Sequence, residues 1–398
     1  MRLFVAILVG ILVISPVALL MGAGSFLGSP PPPAALTPAS HGEGIGPAAI
    51  GRDPLKWPFS RDSIWNLPIG ANARYVPGLV HVSSARGFFP DVNLLVLQPN
   101  APLTDVYLNT DDWSGGSRCA VQGGVRFTAP IPTNFVVAGA SPGDTPNAAV
   151  AILKADGRTL IQGQPFARCV AGQPPTINYW DQDEDIFGPG VSGYHGGSHL
   201  SSIGGTVRLG ELVPGGVIRH SLKLGFLGGE NYFYNATTRG FRWPALSADA
   251  PAASTYGIRD PARAALRMGS LLAIPPSLSI VSLSLETEPG RILARALQDY
   301  GGYVVDDAGW SVYDVSVEQS PDGYVGDEFL AAWGYPITPA NKANPWSRDM
   351  DKLMLALGVV DNWDRATWQR VSASNGAEGA GGGTPRVAWA RCVPAACC

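Results

Sequence analysis

The chain has 398 residues and a formal net charge of −4, and 15% of its residues are charged. Gly and Pro supply 49 and 35 residues, about a fifth of the chain, which cuts it into short segments and argues against a helical bundle or coiled coil. An apolar content of 45% excludes a disordered chain, and the mildly acidic balance excludes nucleic acid as a partner.

Arg2 is the only charge before Glu43, and residues 3–21 form an apolar run, LFVAILVGILVISPVALLM. The run and the small residues after it, Gly22 to Ser25, predict an export signal within residues 1–28. Its 19 residues are also enough to span a bilayer, so a retained N-terminal membrane anchor is the alternative. Residues 29–50 open with SPPPPAALTPAS, a semi-rigid Pro-rich linker. Either way the folded part is expected outside the cytoplasm, secreted or anchored. In such an oxidising compartment Cys119 and Cys169 are expected to pair, while Cys392, Cys397 and Cys398 crowd the C-terminus.

Residues 51–375 read as a single large β-rich domain. Strand-like runs are VNLLVLQ (92–98), AAVAILKA (148–155), GTVRLGEL (205–212), GVIRHSLKLGF (216–226) and GSLLAIP (269–275), with turns at Asp156-Gly157 and Pro214-Gly215. The pattern predicts a mainly β fold, an antiparallel sandwich of jelly-roll type with two or three peripheral helices. One helix covers residues 288–300, capped by Thr287 and ended by Gly301-Gly302, with Ile292, Leu293, Ala296, Leu297 and Tyr300 as its apolar stripe. A second covers 346–357, with Met350, Leu353, Met354 and Leu357 as its stripe. Residues 376–398, rich in Gly and Ala, are expected to form a loose tail.

The densest chemistry lies in residues 179–220, with three of the five histidines, four acids within residues 181–185 and ten glycines. If 205–212 and 216–226 form a hairpin, only an even loop brings their apolar faces together. That register sets Glu211 diagonally across from His220 and predicts a contact between them. The pair is expected to fix the sheet or to serve as an acid/base group at a cleft. In YHGGSH, Tyr194, His195 and His199 lie among glycines that let backbone approach a ligand. Two imidazoles with an acid from Asp183, Asp185 or Glu211 suggest a divalent metal, although the spacing matches no standard zinc motif. Alternatively, a Tyr or His base with Arg208 neutralising a uronate carboxylate is what a polysaccharide lyase needs. WDQDED (180–185) suggests a glycosidase groove from alternate acids, or an acidic loop holding calcium. Asp306-Asp307 reads as a solvated strand end. Trp65, Trp180 and Trp243 in turn-rich contexts, with His220, are expected to contact sugar; Trp310 has a similar context.

The blocks HGGSHLSSIGGTVRLGEL, FRWPALSAD, MGSLLAIPP, ETEPGRILARALQDYGGYVVDD, WPFSRDSIWNLPIG and GRTLIQGQPFARC resemble a group of secreted proteins from bacteria and some fungi. The resemblance spans most of residues 57–386. It implies export and assigns no catalytic residue. At the level of fold, the expected sandwich is similar to jelly-roll polysaccharide lyases and glycosidases. The expectation is therefore an exported protein acting on polysaccharide or cell-wall glycan, with no cofactor that the sequence requires and calcium or zinc as the metals it could use. As a lyase it would use His195 or His199 as base, Tyr194 or the other of these histidines as acid, and Arg208 on the uronate. As a hydrolase it would use Glu211 and Asp183. The alternative is a non-catalytic wall-binding or envelope protein.

Overall fold

A computed structural model describes residues 53–388, apart from 86, 112–115 and 144–145. The export signal or anchor, the Pro-rich linker and Cys392, Cys397 and Cys398 lie outside the described residues. None of the described helices is long and apolar enough to cross a membrane.

Among the described residues the protein is mainly β, with a large mixed sheet and six helices, α1 (Gly228–Asn231), α2 (Ala252–Thr255), α3 (Glu288–Asp299), α4 (Val325–Trp333), α5 (Pro345–Leu355) and α6 (Arg365–Ala373). Fourteen strands are β1 (Tyr75–Pro77), β2 (Phe88–Val96), β3 (Leu103–Leu108), β4 (Val125–Pro130), β5 (Ala149–Leu153), β6 (Thr159–Ala167), β7 (Thr176–Asp185), β8 (Ser192–His195), β9 (Leu222–Phe226), β10 (Leu271–Ala273), β11 (Gly302–Asp307), β12 (Tyr313–Ser320), β13 (Gly323–Tyr324) and β14 (Gly358–Val360). All but β8 join one sheet in the order β1-β14-β10-β11-β9-β12-β2-β5-β6-β7-β3-β4, with β13 on β12. The sequence pattern suggested antiparallel pairing throughout. The sheet instead contains parallel pairs, β9 with β11, β2 with β12 and with β5, and β3 with β7. Parallel neighbours need long crossovers, and the short turn signals in the sequence do not reveal them.

Strand alternation divides this sheet into two faces. From β12, Val315 and Val317 join Leu222, Leu224 and Phe226 of β9 in the main apolar core. The helices α3 (Glu288–Asp299) and α5 (Pro345–Leu355) contribute to the same core through Ile292, Leu293, Ala296, Leu297, Met350, Leu353 and Met354. Both helices fall within a residue or two of their expected bounds, because their caps are local: Thr287 Oγ1 accepts from the Gly290 N–H and Asn344 Oδ1 from the Trp346 N–H. The opposite face carries Asp314, Ser316 and Glu318 of β12 beside Phe89, Asp91 and Asn93 of β2, and Lys223 and Gly225 of β9.

Three local expectations are corrected. Residues 205–221 are turns, and only Leu222–Phe226 of the second expected strand is extended. The segment folds over Trp65: a Cβ on Gly204 or Gly205 would sit 2.4 or 2.6 Å from that ring, so chain and indole pack as closely as glycine permits. Val207 keeps a single bridge to Val317. The tail is not loose through residues 376–386. Ala380 is buried, and bridges tie Ile69 to Ala380 and Gly70 to Pro385. Cys119 and Cys169 are disulfide-bonded, as expected.

Candidate functional site

The polar face of β2, β9, β11 and β12 opens on a cavity of about 650 Å³. Four carboxyl groups line it, from Asp91, Asp306, Asp307 and Asp314, with Phe89, Trp310 and Tyr324 among the other walls. Register explains the gathering. Asp306 pairs with Gly225, Gly225 with Asp314 and Asp314 with Phe89, a single row across four strands. A bulge between Val304 and Asp306 re-aims Asp306 into that row. Gly225 leaves the floor between the two acids open, since a Cβ there would lie 3.1 Å from Asp314 Cβ. One step along the same face, Asp91 pairs with Ser316.

The environments of these acids differ. Burial disfavours the Asp91 anion, but the His195 imidazole, the Lys223 ammonium and the Ser316 hydroxyl outweigh it and hold the carboxyl at about 2. His195 Nε2 lies 2.7 Å from Asp91 Oδ2, and the same oxygen accepts from Ser316 Oγ at 3.0 Å and Asn93 Nδ2 at 3.4 Å. Oδ1 is thus the atom left for a ligand or water. Behind Asp91, burial pushes His195 toward its neutral form, and the contact with Asp91 calls for the proton on Nε2. Burial also pushes Lys223 well below the usual lysine range, against the pull of Asp91 and Asp306, and its Nζ donates to Asn93 Oδ1 and to the carbonyls of Ser201 and Ser202 at 3.1 Å each.

Asp314 is the opposite case. Burial, then the charges of Asp91 and Asp307, push its carboxyl well above the usual range. Its Oδ1 is buried without a hydrogen-bond partner. Burial and the charges of Asp249 and Asp91 also raise Asp306 well above that range. Burial and Asp249 raise Asp307 to about 6, against the pull of the Gly228 N–H at 2.7 Å. Asp306-Asp307 is therefore not a solvated strand end: both acids face an interior hollow.

The Gly-rich YHGGSH segment supports this site from behind. A Cβ on Gly196 would lie 2.4 Å from Asp306 Cγ, and one on Gly197 would lie 2.5 Å from Asp249 Cγ. The Gly197 N–H donates to Asp306 Oδ1 at 3.2 Å. These glycines admit carboxyl groups of the same chain, where the sequence suggested a ligand. His199 is exposed and stacks on Tyr194 at 5.2 Å; neither lines the cavity.

The other expected residues go elsewhere. Glu211 and His220 do touch, Oε2 to Nε2 at 3.0 Å, but through turns in place of a hairpin. Glu211 Oε2 also accepts from the Arg208 N–H at 2.7 Å, and Arg208 Nε reaches Glu318 at 2.7 Å. The crevice beside this network, at about 10 Å³, holds no more than a water. Arg208 binds Glu318 and Glu211 binds His220, while His195 binds Asp91 beside the cavity, so the residues expected to act together in a lyase are each paired with other partners. Asp183 does not join Glu211 either. A bulge with φ of 80° takes it out of the β7 alternation, and it pairs with Lys154 at 3.0 Å while Asp185 pairs with Arg158.

Three expected sugar platforms are packing residues. Trp65 is buried, with Nε1 donating to the Gly190 carbonyl at 2.7 Å. Trp180 packs on Phe127 at 5.0 Å, and Trp243 packs between Trp363 and Trp368 at 5.5 and 5.7 Å. Among the described residues no group of three or more His, Cys, Asp or Glu is placed to hold a metal ion.

Sequence reasoning missed Asp91 and Asp314. The signal for Asp314 is the strict alternation of DVSVE, 314–318, which marks a strand buried on one side with acids on the other. Comparison with known protein families, characterised proteins and solved structures finds no match to this chain.

Proposed function

We propose that the protein is an exported glycoside hydrolase whose active site is the Asp91–Asp314 cavity. One observation carries the reading. On one face of adjacent strands, in a hollow with aromatic walls, one carboxyl is pushed toward its ionised form and another toward its protonated form. Environments that push two carboxyl groups apart in this way assign a base and an acid. Asp314 donates its proton to the leaving glycosidic oxygen. Asp91, through Oδ1, accepts a proton from the attacking water. The C–O bond breaks, water supplies a hydroxyl to the anomeric carbon, and Asp91 is left protonated where Asp314 was. Proton exchange with solvent resets both.

Strand spacing and rise put the Cα atoms of these diagonal neighbours roughly 8 Å apart. Both side chains stand on one sheet face, so that spacing leaves room between the two carboxyl groups. It suits hydrolysis with inversion, which needs room for a water between acid and base. Trp310 and Phe89, with ring centroids 4.9 Å apart, offer apolar faces for sugar rings.

The test is a glycan panel read for new reducing ends and for ultraviolet-absorbing unsaturated sugars. Hydrolysis gives the first without the second, with anomeric inversion by NMR, and is lost in Asp91→Asn and Asp314→Asn. Unsaturated products, or turnover that survives both substitutions, would sink the proposal. Binding without turnover would leave a non-catalytic glycan-binding protein.

A further inference from the structure

A groove of about 1040 Å³ shares no lining residue with the Asp91–Asp314 cavity, so what it binds is independent of the hydrolase reading. It runs along β1 and residues 78–82, and residues 275–277 and the end of α5 with the start of β14 also line it. Leu79, Val82 and Leu355 in its lining are 51%, 42% and 58% exposed. Leu79 is also held in the left-handed conformation, with φ of 50°. That strains a bulky residue, and a half-exposed side chain does not offset the strain by packing. An exposed apolar rim around a concave surface marks a binding site.

The lining decides which chemistry fits. Pro77, Pro275 and Pro276 carry no N–H, and the N–H groups of Gly78, His81 and Leu357 already donate within the chain. A peptide backbone or a sugar buried there would leave its own polar groups short of partners. An aliphatic chain has none to satisfy. Charge then selects the head group. The described lining residues include no acid, and Arg263 is their one permanent cation. Its Nη2 donates to the Leu79 carbonyl at 3.1 Å, while Nε and Nη1 have no partner among the described residues and are not buried. Glu230, behind the lining, is engaged by His81 at 3.3 Å and by the Ser311 hydroxyl at 2.6 Å. The guanidinium is thus left to meet an anion from the groove.

We infer that the groove binds a free fatty acid, with its chain along Leu79, Val82 and Leu355 and its carboxylate on Arg263.

The test titrates the full-length protein near neutral pH with octanoate, decanoate, dodecanoate and decan-1-ol by calorimetry. Each added methylene is expected to tighten binding about fourfold. Decanoate is expected to bind about tenfold more tightly than decan-1-ol, and Arg263→Gln to erase that difference. Leu355→Glu, at an exposed side chain, is expected to weaken decanoate about tenfold by like charge, with the unfolding midpoint unchanged. Affinity that ignores chain length, equal binding of acid and alcohol, or no binding overturns the assignment. Sedimentation with phosphatidylglycerol vesicles that decanoate does not compete away also overturns it, making the groove a membrane contact. A dimer abolished by Leu355→Glu overturns it in favour of a contact between copies. None of these outcomes bears on Asp91 or Asp314.

Discussion

Two histidine–carboxylate pairs of nearly equal geometry sit in this molecule. His195 lies 2.7 Å from Asp91 and His220 lies 3.0 Å from Glu211. Asp91 borders a hollow of about 650 Å³ that also holds Asp314, whereas Glu211 is closed in by the Arg208 turn beside a crevice of about 10 Å³. A close ion pair in itself therefore says little about function. What distinguishes the first pair is a second carboxyl, Asp314, shifted in the opposite direction in the same solvent-reachable space.

The sharpest way to break the contrast is substitution at its centre. Asp91→Asn and Asp314→Asn are each expected to lower glycan turnover by about 10² to 10⁴-fold, the usual share of a general acid or base, and Asp91→Asn is also expected to cost about 1–3 kcal/mol in unfolding because His195 and Ser316 lose a charged acceptor. Glu211→Gln is expected to leave turnover intact and to cost about 1–3 kcal/mol in denaturant unfolding, because the Arg208 N–H and His220 lose a charged acceptor. Equal loss of activity in both sets would erase the distinction.

A smaller effect tests how Asp91 is kept ionised. With its carboxyl near 2, the acidic limb of the rate profile is expected near that pH, and activity should decline as pH rises through the raised value of Asp314. His195→Gln removes the strongest influence holding Asp91 down. The sign is upward for Asp91, so the acidic limb moves to higher pH. His220→Gln should leave the profile where it is. A limb that stays put in His195→Gln would show that the imidazole only packs.

Smaller still is the floor of the cavity. Gly225→Ala places a methyl 3.1 Å from Asp314 Cβ and 3.2 Å from its Oδ2. Turnover is expected to fall roughly tenfold through misplacement of the acid, with little change in unfolding midpoint. Alanine at Gly210, where a Cβ meets nothing within 4 Å, should leave turnover alone; its φ of 85° would cost only stability.

Much of the scaffold was legible in the chain because its signals are short-ranged. The Thr287 cap announces α3, the stripe of Met350, Leu353, Met354 and Leu357 announces α5, and the apolar runs around Leu94 and Val150 announce β2 and β5. The site was legible only in fragments. Asp91 lies one residue before a recognised run, and Asp314 lies in an alternating stretch that by itself states only that one side is polar. The Trp residues drew notice by their turn-rich contexts, yet Trp65 is core and Trp180 and Trp243 pack on other rings; among the described Trp residues, the half-exposed Trp310 lines the cavity.

Capping, periodicity and the oxidisable Cys119 and Cys169 were therefore determined by the sequence alone, since each depends on a few neighbouring residues or on composition. The meeting of residues 91, 306 and 314 was decided by the tertiary structure, through parallel pairing of β2 with β12 and of β9 with β11. Such pairing has no local signature: its register is set by which side chains the whole sheet buries, and that burial in turn fixes which carboxyl keeps its proton.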